Sequence, residues 1–343
     1  METKSSRILK SNFCLSTVMI ELTTACNYRC VHCYLGKRDN SFCADYLDFE
    51  VIISLIEQLK ELRTFKVCLT GGEPFCHPRI NDILELLRKN NFLVYILTNA
   101  SRINANNINV LLDNVNKVLT TCYGDSEETY ESVTQTSGSY LKYKEALKLL
   151  DEHKIRYSER GILLRENDAD VHELCQKCKN VESYICIDCH DAYARPHLAD
   201  KSVIEKYFRE IIGDLDSIRN QMRDFLIEKD TYVCSALTNS LFIAADGNIT
   251  PCANFNYSLG NIYYDKISDI WNKDAISTIK EKFKIKHFKK CQTCEYLKYN
   301  LNFCPANYLY ETGDMFVPSQ NTCQACKLLF DVINTKECPK NEN

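Results

Sequence analysis

No stretch of this 343-residue chain approaches the roughly 18 consecutive apolar residues that a membrane-spanning helix needs, and Met1–Asn12 lacks the apolar core of an export signal. These absences predict a protein that stays in the cytoplasm, away from membranes. Charge of one sign is missing too: 42 Lys and Arg are well mixed with 46 Asp and Glu, for a net charge of −4. No basic stripe argues for nucleic acid, and no uniform field argues for a membrane surface. There are no internal repeats and no low-complexity tracts. With 45% apolar residues the chain can bury one large core or two moderate ones, as an ordinary soluble enzyme does.

What the chain has in excess is cysteine, 20 residues of it. Without an export signal such an excess points to metal or redox chemistry in a reducing compartment rather than to disulfides. The most telling spacing is Cys26-x3-Cys30-x2-Cys33. Three thiolates on one tight loop can hold three corners of a cuboidal 4Fe-4S cluster and leave the fourth iron open to a reactive ligand, the arrangement of a catalytic cluster. The same residues also allow a zinc knuckle short of its last ligand, with His32 as the candidate.

The triplet, with His32 before its third cysteine, resembles the signature of the radical S-adenosylmethionine (SAM) enzymes. Thr70-Gly71-Gly72-Glu73-Pro74 after the apolar run Lys66–Leu69 resembles that family's second strand and its SAM-binding turn. Glycines there allow close backbone approach and positive φ, and Glu73 offers a carboxylate to a ligand ammonium. The resemblance also puts Asn99 at the strand end that contacts SAM; as a bare residue it reads equally as a turn cap.

From Thr17 to about Cys189, short apolar strands alternate with amphipathic helices, an α/β pattern of repeated βα units around a parallel sheet. Strands are predicted at Val18–Leu22, Lys66–Leu69, Leu93–Leu97, Lys117–Cys122, Arg160–Leu164 and Tyr184–Asp188. Helices are predicted around Phe49–Leu59 (inward Phe49, Ile52, Ile53, Ile56 and Leu59), Ile80–Leu87, Ala105–Leu112, Tyr140–Leu150 and Val171–Lys179. Ligand sites gather at strand carboxyl ends in such folds, so the Cys loop, Gly71–Pro74, Asn99, Tyr123-Gly124 and Asp188–His190 should converge. The family's partial (β/α)6 TIM-like barrel agrees with this reading. Ser202–Ile227 reads as one long polar helix, and Ser240 to Cys252 as a hairpin around Asp246-Gly247. The expected organisation is a barrel over 1–199, a helical bridge over 200–230, a cysteine-rich α+β domain over 231–338 with few long helices, and a frayed tail over 339–343.

Cys234-x12-Gly247-x4-Cys252, Cys291-x2-Cys294 and Cys304 resemble the SPASM extension, which carries two auxiliary 4Fe-4S clusters in that family. Asn300 stands where its pattern has a cysteine, and Cys323-x2-Cys326 supplies a spare. The resemblance implies Cys234, Cys252 and Cys304 around one cluster, and Cys291, Cys294, Cys323 and Cys326 around the other. Zinc ribbons are the competing reading of these pairs. Cys175, Cys178, Cys186 and Cys189 read as buried thiols on a helix and a strand. Cys122 and Cys189, near strand carboxyl ends, are candidates to face the cavity.

The resemblance implies that SAM chelates the open iron and is cleaved reductively to a 5′-deoxyadenosyl radical that abstracts hydrogen from substrate. A flavodoxin or ferredoxin would supply the electron. Members with this extension chiefly modify ribosomally made peptides, so the implied substrate is a precursor peptide, bound directly or through a separate recognition protein. An oxidative crosslink (thioether, C–C or C–O) is favoured. Epimerisation would call on Cys122 or Cys189 as hydrogen donor. An anaerobic sulfatase-maturase-like or small-molecule dehydrogenase, or a non-catalytic iron–sulfur or zinc scaffold, are the alternatives.

Overall fold

Alternation of apolar and polar residues along the strands sets the layering. The computed structural model describes residues 14–36, 43–170, 172–174, 185–186, 199–211, 230–234, 236–255, 257–272, 274–300 and 303–336. Six strands, β1 (Thr17–Glu21), β2 (Lys66–Thr70), β3 (Leu93–Leu97), β4 (Lys117–Cys122), β5 (Tyr157–Ile162) and β6 (Ile185–Cys186), pair in parallel in that order. Val18, Ile20, Val67, Leu69, Val94, Ile96 and Val118 turn one side chain in two into a single core with α1 (Phe49–Glu61), α2 (Ile80–Lys89), α3 (Ile108–Asn114) and α5 (Ser139–Glu152). α2 buries Ile80, Ile83, Leu84 and Leu87, one stripe at helical spacing, each contributing about 1.5–3 kcal/mol. α1 buries Leu55 in place of the expected Ile53, which is 36% exposed.

Two local departures from the sequence reading have local causes. β5 starts at Tyr157 rather than Arg160, because polar Ser158 and Arg160 alternate with Glu159 in a segment that pairs with β4 from Val118↔Tyr157 onward. An unforeseen helix, α4 (Glu127–Thr134), is capped by Ser126, whose side chain accepts from Thr129 N at 3.1 Å, with Glu127 and Glu128 favourably placed in its first turn. Of the predicted Val171–Lys179 helix only 172–174 are described, and they are helical; the Ser202–Ile227 helix is described as α6 (Lys201–Ile211). Asp188, Cys189 and His190 lie outside the described residues.

The hairpin forms as expected: β7 (Ser240–Ile243) and β8 (Asn248–Thr250) pair antiparallel, with Gly247 at φ +82° and Asp246 Oδ1 accepting from Asn248 N at 2.9 Å. Its placement is new. β7 pairs in parallel with β1, so β8 and β9 (Gly260–Asn261) extend the barrel's own sheet, in the order β6-β5-β4-β3-β2-β1-β7-β8-β9, open at both ends. Helices α7 (Ile267–Trp271), α8 (Asp274–Lys282), α9 (Pro305–Thr312) and α10 (Gln320–Lys336) follow. α10, at 17 residues, is the longest of these. Among the described residues no helix is long and apolar enough to cross a membrane.

Lys280 of α8 is buried with Nζ 3.9 Å from the Trp271 ring centroid, and burial pushes its ammonium down to about 8. Between that value and the ordinary one near 10.5 the unfolded chain holds a proton that the folded chain has lost, so stability rises with pH across this window. Lys280→Met should flatten the rise, as read from melting temperatures between pH 7.5 and about 10.

Candidate active site

The Cys loop is built by continuing the β1–β2 pairing past the strand ends. Leu22 N donates to Thr70 O, Gly72 N to Thr23 O (2.7 Å) and Glu73 N to Ala25 O (2.8 Å), which lays the Gly71–Pro74 turn along the start of the loop. An added Cβ on Gly72 would stand 2.4 Å from Ala25 O and 2.6 Å from Thr24 O; on Gly71, 2.7 Å from Thr23 O. Close approach is therefore the reason for both glycines. The positive φ expected there is not found: the positive-φ glycines are Gly36, Gly138, Gly247, Gly260 and Gly313.

Glu73 is fully buried. Its Oε1 accepts from Phe75 N (3.1 Å) and Thr98 Oγ1 (2.8 Å), and its Oε2 from Asn99 N (2.8 Å). It thus clasps the glycine turn to the end of β3 and starts the short Pro74–Cys76 helical turn. Burial raises its carboxyl above the ordinary range, against those three hydrogen bonds. Asn99 is the turn cap that its residue type allows, and it also reaches the Cys loop. Its Oδ1 accepts from Ser101 N (3.0 Å) as a turn cap, while Nδ2 donates to Asn27 Oδ1 (3.2 Å) and reaches Cys26 Sγ (3.7 Å).

Cys26 Sγ also accepts from Tyr28 N at 3.4 Å, and the loop curls where Cys33 N donates to Cys30 O at 3.2 Å. His32 packs edge-on against Tyr123, ring centroids 5.0 Å apart. One further residue escaped the sequence reading. Glu21, 4% exposed at the end of β1, accepts from Tyr34 Oη (2.6 Å) on the Cys loop and from Ala245 N (3.1 Å) in the β7–β8 hairpin, joining the two. The signal was available: a carboxylate inside the apolar run Val18–Leu22 has to be buried with partners.

Cys122 does not face the cavity. It is fully buried among Tyr123, Tyr130, Val133 and Tyr143, with Sγ 3.6 Å from Gly124 O. It shares a strand face with Val118, which packs on α5, and period two forbids it the other face. Its burial there gives the hydrogen-donor reading no support. Cys68 lies on the opposite parity, electrostatically coupled to Arg160 and Lys66.

The later cysteines fall into two groups. Cys304, at the start of α9, feels Cys252 and Cys234, and burial pushes its thiol up to about 12 and that of Cys252 to about 11. Cys326 feels Cys323, Cys294 and Cys291; burial pushes Cys326 and Cys291 to about 12. Cys323 and Cys326 sit one turn apart on α10, which is how a helix presents two thiols to one object. Asn300 turns its amide to Tyr308 Oη (3.2 Å), and Tyr308 is itself close to Cys291, Cys323 and Cys326. Among the described residues no three His, Cys, Asp or Glu converge as a single-ion site. The donor chemistry fits iron–sulfur clusters: soft thiols, with N–H groups aimed at sulfur at Cys26 and, from Ala236 N (3.4 Å), at Cys234.

Residues 20–178 match the radical SAM superfamily and residues 234–295 an iron–sulfur cluster-binding domain, SPASM. The antilisterial bacteriocin subtilosin biosynthesis protein AlbA of Bacillus subtilis is 25% identical over 269 residues, covering 75% of this chain, and the chain spans 59% of AlbA's length. The sporulation killing factor maturation protein SkfB of the same organism is 20% identical, over 76% of this chain and 66% of SkfB. Among solved structures, Streptococcus suis SuiB bound to its precursor peptide SuiA superposes with a TM-score of 0.70 at 16% identity, over 93% of this chain and 78% of SuiB. The structure of anSMEcpe with AdoMet and a peptide gives 0.69 at 16% identity, over 94% and 98%. The cysteine loop and the glycine turn clasped against it thus lie in a radical SAM domain, and the thiols beyond β7 begin a SPASM iron–sulfur cluster-binding domain, families that use SAM, a 4Fe-4S cluster and auxiliary iron–sulfur clusters.

Proposed function

We propose that this enzyme modifies a ribosomally made precursor peptide by hydrogen abstraction, with an oxidative crosslink as the product class. The observation that carries the reading is the joining of the Cys26–Cys33 loop, through Glu21, to a hairpin that leads into two further thiol groups. Cys26, Cys30 and Cys33 hold the catalytic cluster, and Cys234, Cys252 and Cys304, with Cys291, Cys294, Cys323 and Cys326, hold two auxiliary ones. When bound, the cluster and SAM supply a 5′-deoxyadenosyl radical. The chain's own part is to clasp the Gly71–Gly72 turn against the Cys loop through Glu73 and Asn99, and to exclude water with the packed Tyr123–His32 pair. The names of AlbA and SkfB, a bacteriocin biosynthesis protein and a maturation protein, support a peptide substrate. The burial of Cys122 outside the cavity weighs against epimerisation with that thiol as donor. A cytoplasmic site of action, a flavodoxin- or ferredoxin-type donor and a barrel over 1–199 bridged by 200–230 to a domain over 231–338 belong to the same reading.

The test is anaerobic incubation of the reconstituted enzyme with SAM, dithionite and the product of any short open reading frame beside its gene. A crosslink removes two hydrogens from the peptide, and epimerisation in D2O exchanges one hydrogen for deuterium. A peptide unchanged in mass and stereochemistry while SAM is cleaved argues for another substrate class.

A further inference from the structure

A cavity of about 480 Å³ opens beside the Cys loop, lined by Asn27, Ser101, Arg102, Asn104, Lys142 and their neighbours Phe75, Ile80, Asn81 and Asn107. No carboxylate lines it. Two cations and a ring of amides make it a place for negative charge. None of the lining residues belongs to a barrel strand; they come from the Cys loop, the turns after β2 and β3, the start of α2 and the first turns of α5. The cavity thus sits on the loops at the carboxyl ends of β2 and β3, beside the Cys loop. Its wall is wired to the cluster loop: Asn27 Nδ2 donates to Ser101 Oγ (2.8 Å), Ser101 Oγ donates to Asn99 Oδ1 (2.6 Å), and Asn99 Nδ2 reaches Cys26 Sγ (3.7 Å). Asn27 itself is the next residue after Cys26. Arg102 is shared with Glu73 and Cys76, whereas exposed Lys142 has no ion-pair partner among the described residues.

From this we infer that the cavity is the docking point of an acidic one-electron carrier protein, which sets a surface carboxylate between Lys142 and Arg102 and delivers its electron through the Asn27–Asn99 wall to the cluster at Cys26. The inference rests on the radical SAM reading, since each SAM cleavage consumes one electron from outside the chain. Oxidation of the carrier by one electron balances reduction of the cluster.

The experiment compares donors on the reconstituted full-length enzyme, following 5′-deoxyadenosine release. With flavodoxin hydroquinone, Lys142→Glu should raise KM for the flavodoxin about tenfold and weaken its dependence on ionic strength. With dithionite, which needs no docking site, release should stay within about twofold of wild type. Asn104→Asp, nearly isosteric on the same rim, should act in the same direction. Equal flavodoxin titrations for wild type and both variants overturn the inference, as does an equal loss with both donors, which would place the effect on the cluster or the fold. Loss of the dithionite-driven reaction in wild type would instead overturn the radical SAM reading itself.

Discussion

Cys26/Cys30/Cys33 changed together to alanine should leave a folded protein that carries about eight iron atoms instead of about twelve and releases no 5′-deoxyadenosine. The effect is total because a cuboidal cluster on this loop needs three thiolates and the variant has none of them. Cys122 is sealed in the tyrosine cluster behind the sheet, and Cys68 lies within β2. Iron and sulfide analysis after anaerobic reconstitution, with a chromatographic assay of SAM cleavage, checks both numbers. The remaining iron would sit with the thiols of α9, α10 and the hairpin. Zinc in its place, with no SAM cleaved by wild type, would make the chain a metal-organised scaffold.

Gly72→Ala should be nearly as damaging with a single methyl group. The new Cβ would meet two backbone carbonyls, Ala25 O at 2.4 Å and Thr24 O at 2.6 Å, neither of which can rotate away as a side chain would. The turn has to lift off the Cys loop, breaking the Gly72–Thr23 and Glu73–Ala25 hydrogen bonds that set the height of the loop over β2. We expect a loss of about 2–3 kcal/mol in stability. SAM cleavage should fall by about a hundredfold, since displacement of reacting groups by about 1 Å costs that much. Gly138→Ala is the control. That glycine needs φ +71° but has open space around it, so the substitution costs about 1 kcal/mol and should leave cleavage intact. Thermal melts and the same cleavage assay separate the two.

Where the sequence carried its own boundaries, the structure follows it closely. Leu93–Leu97 and Lys117–Cys122 are strands to the residue, because turn-forming and polar residues bracket each apolar run. The Cys loop, Gly71–Pro74 and Asn99 converge because parallel βα order alone brings strand carboxyl ends together. What escaped was information carried by pairing rather than pattern. No local signal tells that Ser240–Ile243 lies beside Thr17–Ile20, a partner more than two hundred positions away in the chain. The burial of Cys122 among tyrosines is set by strand parity, which nearness to a strand end does not reveal. The burial of Glu73 has little local signal, since of its three internal donors, Phe75, Thr98 and Asn99, only the first is local. The extent of α10 was hidden by cysteine and threonine on a helix whose apolar stripe, Ala325, Leu328, Leu329, Val332 and Ile333, packs against Phe208.

The pairing of β7 with β1 also bears on how the molecule can come apart. A boundary drawn between the two cysteine-rich regions by chemistry is not a boundary in the sheet: cutting there would bare the whole hydrogen-bonding edge of β1 and strip Glu21 of Ala245 N, leaving a buried carboxylate short of a donor. An isolated barrel would be a template for strand addition by its neighbours, so both metal-bearing halves should unfold as one cooperative unit and be inherited as one.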